Sequence, residues 1–255
     1  MTSATTRQCE TLIVGVDGCR SGWIAVARGP GGFEYRLHAT FAELLQAWPS
    51  ATSVFVDIPI GLPSKSSPTR LCDTEARRRL RRGRASSVFS PPCREAAHAA
   101  DLGQAREINL RELGRSLSAQ AWGICPKIAE VDALLSNTPA LADKVKEVHP
   151  ELLFWALNGG RAMRHGKKSR AGAEERAALL ATLDPRSPEL IERLLNDYRR
   201  DQVGRDDVVD ALAASLTAGG GSASGNRPAV TVPAHPQLDG VGLPMCMWIP
   251  ADTTA

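Results

Sequence analysis

Five acidic residues stand where a folded chain could use them together. Asp17 lies in the apolar run 12–18, Asp57 near the end of the apolar run 53–63, and Glu147 closes the short stretch 144–147. Asp207 and Asp210 open the run 206–218. Carboxylates brought to one place repel one another unless a cation neutralises them. Ligation by oxygen alone suits a hard divalent ion, Mg²⁺ or Mn²⁺, which accepts phosphate oxygens as further ligands. Two such ions about 3.5 to 4 Å apart activate a water and stabilise the leaving oxygen in an in-line attack on a phosphodiester. The reaction implied is phosphodiester hydrolysis. Asp17 and the acids that open the run 206–218 also have a plainer reading. Asp17 at a strand end can bond its own turn, and Asp206 or Asp207 suits a helix dipole and its free N–H groups. Asp210 fits that account less well, because it lies past the first orphan donors and borders a buried stripe.

The elements that must carry these acids can be read from apolar spacing. Residues 12–18 form a continuous apolar run bounded by glycine, which predicts a buried strand. Gly18 to Gly22 then makes a tight reversal into a second strand, 23–27. The Gly-Pro-Gly-Gly segment 29–32 turns the chain into a third strand, 33–39. A helix over 41–48 follows, with Thr40 as N-cap and Pro49 as its stop. The run beginning at Ser53 is then a buried strand reached by a crossover, parallel to the first, which sets Asp57 beside Asp17. Residues 64–143 turn mostly helical, with a loop over 86–94 and a helix over 124–135. Glu147 ends a short strand that runs into a helix opened by Pro150. Helices over 174–183 and 189–198 precede the last, 206–218, where Val209, Leu212, Ala213 and Leu216 define a core-facing stripe. Asp206, Asp207 and Asp210 share one side of its first turns. A glycine-rich loop over 219–225 and a docking strand over 245–249, with a turn at Asp239-Gly240 before it, complete the chain.

Bulk properties narrow the function classes. At 255 residues the chain buries one substantial core, so one embellished domain is expected. A net charge of +3, from 31 basic and 28 acidic residues, identifies no partner by itself, and 5% aromatics argues against a base-stacking platform. The six cysteines are scattered, with no Cys-x-x-Cys or zinc spacing, as reduced thiols of a cytoplasmic protein would be. Residues 1–10 lack an apolar signal core, and no run approaches the roughly 18 apolar residues of a membrane span. The expectation is a soluble cytoplasmic protein without membrane attachment.

Further residues invite two readings each. Six arginines over 77–84 (Arg77, Arg78, Arg79, Arg81, Arg82 and Arg84) would suit a phosphate backbone or a solvated helix face. Arg70, Asp73 and Arg77 share a helical face and clamp a substrate phosphate or form an internal ion-pair ladder. His149 is a proton carrier near neutral pH or a helix cap, and Lys167 and Lys168 contact phosphate or lie in solvent. The basic loop 159–172 is not a P-loop: Gly160 and Gly166 are separated by five residues and no Gly-Lys-Ser follows.

Taken together, Val14 to Trp23, Asp57 to Pro63, Arg70 to Asp73, Ser86 to Phe89, Glu147 to Glu151, Lys167-Lys168 and Asp207 to Ala211 resemble domain-of-unknown-function family 429, described as a predicted nuclease with a ribonuclease H-like fold. The resemblance spans nearly the whole chain beyond the first ten residues. It implies an α/β fold with a mixed five-stranded sheet flanked by helices and a helical insertion after the fourth strand. Residues 11–255 then form one such domain, with its core at 11–63 and 144–218, the insertion at about 64–143 and a C-terminal extension at 226–250. The segment 207–213 is also similar to the final helix of Holliday-junction resolvases, whose acids corresponding to Asp17, Asp207 and Asp210 bind metal. Their second acid is a glutamate where Asp57 stands here.

The expected site therefore has Asp17, Asp57, Asp207 and Asp210 as ligands of Mg²⁺ or Mn²⁺ and as catalytic residues, with Glu147 auxiliary. Arg70, Asp73, Arg77, His149, Lys167 and Lys168 are the candidates for binding a nucleic acid or a small phosphorylated substrate. Two other classes compete: a nucleotide-binding phosphotransferase of the actin and sugar-kinase type, which needs a second domain and a second phosphate loop, and a non-catalytic binding module that tolerates Asp57→Asn.

Overall fold

A computed structural model describes residues 11–221 and 225–251. Its main sheet has five strands: β1 (Ile13–Cys19), β2 (Gly22–Gly29), β3 (Gly32–His38), β4 (Ser53–Val56) and β5 (Val145–Glu147), in the order β3-β2-β1-β4-β5. The first three form antiparallel hairpins, and the Cys19↔Gly22 register closes the tight turn the glycines predicted. Gly22 has φ +130°, where a side chain would collide with the His38 carbonyl 2.1 Å away. Helix α1 (Phe41–Ala47) carries the chain across, capped by Thr40 and Glu43 in a reciprocal box. β4 then runs parallel to β1, with Val16 level with Val56, and β5 runs parallel to β4, with Val56 level with Glu147.

The insertion between β4 and β5 holds α2 (Leu71–Arg84), α3 (Arg94–Ala97), α4 (Leu102–Leu113) and α5 (Ala119–Asn137). After β5 come α6 (Pro150–Leu157), α7 (Arg170–Leu183), α8 (Ser187–Asp197) and α9 (Arg205–Ser215). The predicted loop over 219–225 is in part a short ladder of β6 (Gly219–Gly221) with β7 (Gly225–Arg227), and its tip at 222–224 lies outside the described residues, as do 1–10 and 252–255. β8 (Ala229–Leu238) and β9 (Pro244–Pro250) make a separate antiparallel pair. β9 packs on β5, α2 and α6, so the expected docking strand is present, with a β-partner of its own. Cys19, Cys72, Cys93, Cys125 and Cys246 are free and buried. Among the described residues no helix is long and apolar enough to cross a membrane.

The sheet is buried on both faces, and alternation assigns each side chain to one of them. Val14, Val16, Val54 and Val56 pack against α1 and α5 through Phe41, Leu44, Ile128 and Leu135. Ile13, Ile24, Val26 and Phe55 pack on the opposite side with residues of α6, α8 and α9. α9 is buried more completely than a single stripe predicts: every residue from Val208 to Ser215 is buried, because α6, α7 and α8 surround the helix on the sides that β1 and β2 leave. Its approach to β1 depends on Gly15. A methyl group there would stand 2.1 Å from the Ser215 amide nitrogen and 2.2 Å from the Ala211 carbonyl oxygen. The carbonyl end of α9 is held by Arg28 of β2, whose guanidinium donates to Ser215 O at 3.1 Å and to Ala218 O.

This contact gives the first test. Gly15→Ala is expected to lower stability by about 3 kcal/mol, because backbone of both elements must part. Gly31→Ala, which meets nothing within 4 Å, is expected to stay within about 0.5 kcal/mol of wild type. Urea denaturation measures both, and equal midpoints for the two variants would refute the role given to Gly15.

Candidate functional site

The register of β1 and β4 sets two acids side by side. Asp57 follows Val56, and its amide donates to Val16 O at 3.1 Å, so Asp57 stands next to Asp17 on the α9 face of the sheet. Asp17 is buried and its Oδ1 accepts from the Gly18 amide at 2.8 Å. The close packing of α9 on Gly15 brings Asp210, 1% exposed, to the same place. Asp207 lies one turn earlier. Its Oδ2 accepts from the Gly204 amide at 2.8 Å, as the capping reading anticipated, while its charge still bears on Asp17 and Asp57.

Lys167, from the loop before α7, enters this group. Its Nζ donates to Asp210 Oδ2 at 2.7 Å and lies 4.0 Å from Asp206. Asp210 Oδ1 is buried and has no hydrogen-bond partner. Burial raises the Asp17 carboxyl well above the ordinary range, and the charges of Asp57, Asp210 and Asp207 add to it. Asp57 is pushed up to about 6, chiefly by burial and also by Asp207, with Lys167 pulling the other way. Asp210 is pushed up to about 7 by burial, and its bond to Lys167 offsets part of that. Asp207 is also raised, mainly by burial. Burial works against the charge of Lys167, but Asp210, Asp17 and Asp57 outweigh it and hold the ammonium firmly protonated.

Glu147 is not in this group. It is level with Val56 across the sheet, and so its side chain leaves the face opposite to Asp17 and Asp57. There it meets Arg70, 2% exposed, which pairs with Glu147, donates to Asp73 Oδ1 at 3.0 Å and to Ile60 O at 3.0 Å. Glu147 Oε2 also accepts from the Ile60 amide at 2.7 Å. Among the described residues, Cys72, Asp73 and Glu147 are the one triple whose donor atoms lie within 4.8 Å of one another, close enough to hold a metal ion, and the Arg70 guanidinium stands in that cluster. The four aspartates are spaced wider than this triple.

The remaining expected binding residues are placed as follows. Arg70 and Asp73 form the buried internal pair of the ladder reading, and Arg77 donates to Val88 O at 3.0 Å and Ser90 Oγ at 2.8 Å, tying down the loop after α2. His149 is the N-cap of α6, its Nδ1 accepting from the Leu152 amide and its Nε2 lying 3.3 Å from Ser87 O, and burial lowers its pKa. Lys168 is exposed. The arginine run is not one face: Arg81 adopts φ 51° and breaks α2, Arg79 bonds Glu75 at 2.6 Å, and Arg84 donates to Met163 O. The Arg82 side chain lies outside the described residues.

The sequence reading missed two contributors. Lys127 of α5 donates to Gly22 O at 2.5 Å, lies 4.4 Å from the Trp23 ring centre, and its charge reaches Asp17 and Asp207. A lone lysine within an apolar helix face was the available signal. Asp239, in the turn before β9, binds Arg94 at 2.5 Å and the Leu62 and Leu243 amides at 3.0 and 2.8 Å, which fastens the tail to the segment after Asp57.

With the geometry in place, comparison with family models matches residues 15–237 to a family described as protein of unknown function (DUF429), the family the motifs had indicated. Searches of curated proteins and of solved structures return no match.

Two tests follow from the charges. A carboxyl whose folded pKa exceeds its unfolded value binds its proton more tightly when folded. The stabilisation it gives is present below about pH 4 and is lost as pH rises, here through about 6 for Asp57 and about 7 for Asp210. In chelator, Asp57→Asn is therefore expected to be more stable than wild type above pH 7 by on the order of 1 kcal/mol, with the gap closing toward about pH 4. Thermal melts at stepped pH measure it, and a gap independent of pH would contradict the raised Asp57 carboxyl. On the other face, Arg70→Leu is expected to cost about 3 to 5 kcal/mol, since it strands Glu147 and Asp73. A loss below about 1 kcal/mol in urea would show that the pair is not a structural keystone.

Proposed function

We propose, for a chain that belongs to the DUF429 family of proteins of unknown function, that it is a divalent-metal-dependent phosphodiester hydrolase, a nuclease. The observation that carries this reading is the convergence of Asp17, Asp57, Asp207 and Asp210 from two parallel strands and a buried helix, with Asp210 Oδ1 buried and unpartnered. Acids whose pKa values are raised by burial first and by one another's charge second, and which keep an unused buried oxygen, fit a hard cation. Asp17, Asp57 and Asp210 would hold Mg²⁺ or Mn²⁺, and Asp207 would flank them. Such an ion supplies Lewis acidity, neutralising charge at the phosphate and acidifying the attacking water.

The chain's own residues do the rest. Asp57 is kept in place by its backbone bond to β1, and the segment behind it is fixed at Ile60 by Glu147 and Arg70 and at Leu62 by Asp239. This leaves Glu147 a supporting role for the loop. Lys167 and the exposed Lys168 put positive charge on the rim, where a phosphate diester, in a nucleic acid or a smaller molecule, would approach the acids.

The test is cleavage of labelled single-stranded, duplex, hybrid and branched DNA and RNA with Mn²⁺ or with chelator, wild type beside Asp57→Asn and Asp210→Asn. Metal-dependent cutting that falls by about 100-fold or more in both variants is the expected result. Cutting that survives chelator and both substitutions would overturn the proposal.

A further inference from the structure

We infer that Lys167 is a resident cation of the aspartate cluster, holding the place of a second metal ion, so that the site takes one divalent ion per chain. The inference rests on the metal-dependent reading above and narrows it.

Asp210 is the residue that decides the number. A carboxylate that bridges two ions gives one oxygen to each. In this structure Oδ2 of Asp210 already binds the Lys167 ammonium at 2.7 Å, and Oδ1 alone is buried without a partner. One oxygen is taken by a charge that belongs to the protein, and one remains for an ion. A second divalent ion on Oδ2 would have to displace the ammonium or sit against it, and like charges at such separation repel strongly in a buried setting.

Lys167 is delivered by a built loop. Ser169 caps α7 by accepting from the Gly172 amide at 3.0 Å, and both its own amide and its hydroxyl donate to Gly166 O, at 3.0 and 2.8 Å. A side chain at Gly172 would lie 2.0 Å from that same carbonyl, so loop and helix are in direct backbone contact. Upstream, Glu175 accepts from the Arg164 and His165 amides at 2.9 and 3.0 Å, and the buried Arg176 donates to His165 O at 3.0 Å. Both flanks of Lys167 are fixed to α7, and its neighbour Lys168 is exposed. The other lysine near the acids, Lys127, is engaged with Gly22 O and the Trp23 ring. Lys167 is therefore the cation positioned against Asp210, and a lysine ammonium supplies fixed charge where a metal ion would have to be recruited.

The experiment counts Mn²⁺ per full-length chain, by calorimetry and by the paramagnetic signal of free Mn²⁺, for wild type, Lys167→Met and Lys167→Arg. Wild type and Lys167→Arg are expected to bind one ion, and Lys167→Met two. Two ions in wild type would overturn the inference whatever the variants do, and leave the metal-dependent reading standing. One ion in a folded Lys167→Met, verified by circular dichroism, would also overturn it. No ion in any of the three would remove the metal-dependent reading and this inference together.

Discussion

Drawing aspartates out of water beside one another is the constraint that the rest of this fold answers. Asp17, Asp57 and Asp210 have their carboxyls raised chiefly by burial, with neighbouring acids adding to it and Lys167 pulling the other way. A domain has only about 5 to 15 kcal/mol of net stability, so packing must offset such a cluster. The offset is concentrated in α9. The helix that carries Asp207 and Asp210 is buried along its whole length from Val208 to Ser215, seated backbone to backbone on Gly15 and held at its carbonyl end by Arg28. The small side chains Ala211, Ala213 and Ala214 permit that approach. Bulkier residues there would bury more area each and hold the acids further from β1.

The two faces of the sheet divide the work. The α9 face gathers the aspartates around Lys167, and the opposite face gathers Glu147 and Asp73 around the single guanidinium of Arg70. The second set braces the first. Arg70 and Glu147 bind both backbone groups of Ile60, and Asp239 binds the Leu62 amide while pairing with Arg94, which in turn holds Asp132 of α5 at 2.9 Å. The helical insertion and the C-terminal strand pair thus converge on the few residues that follow Asp57. A carboxylate meant to meet a ligand at fixed geometry needs support of this kind, because its own short side chain leaves all the precision to the backbone behind it.

Much of this was legible in the sequence because it is local or periodic. Glycine spacing gave the hairpins, a continuous apolar run after a helix gave the parallel β4, and Pro150 gave the start of α6. The relation of Asp57 to Asp17 followed from the crossover alone. What failed to show was parity between strands. Glu147 looks equivalent to Asp57 because both end apolar strands, yet the register that levels Glu147 with Val56 turns it to the other face, and register is a property of two strands together. Long-range ion pairs were equally hidden: nothing near Arg70 points to Glu147, 77 residues away, and nothing near Lys167 points to Asp210, 43 residues away. The break at Arg81 was also unreadable, since the arginine run has the composition of a continuous helix.

The capping and ligand readings of these acids, opposed when each residue is taken alone, turn out to be compatible. Asp17 gives Oδ1 to the Gly18 amide, Asp207 gives Oδ2 to the Gly204 amide, and Asp210 gives Oδ2 to Lys167. In each case one oxygen fixes the orientation of the group, and a carboxylate has a second oxygen with acceptor capacity of its own. The local bond is the device that aims the other oxygen. A capping aspartate at the start of a buried helix is thus not evidence against a functional site. Asp17, Asp207 and Asp210 are each oriented through one oxygen, and the acceptor capacity of the other is left to the group they form around α9.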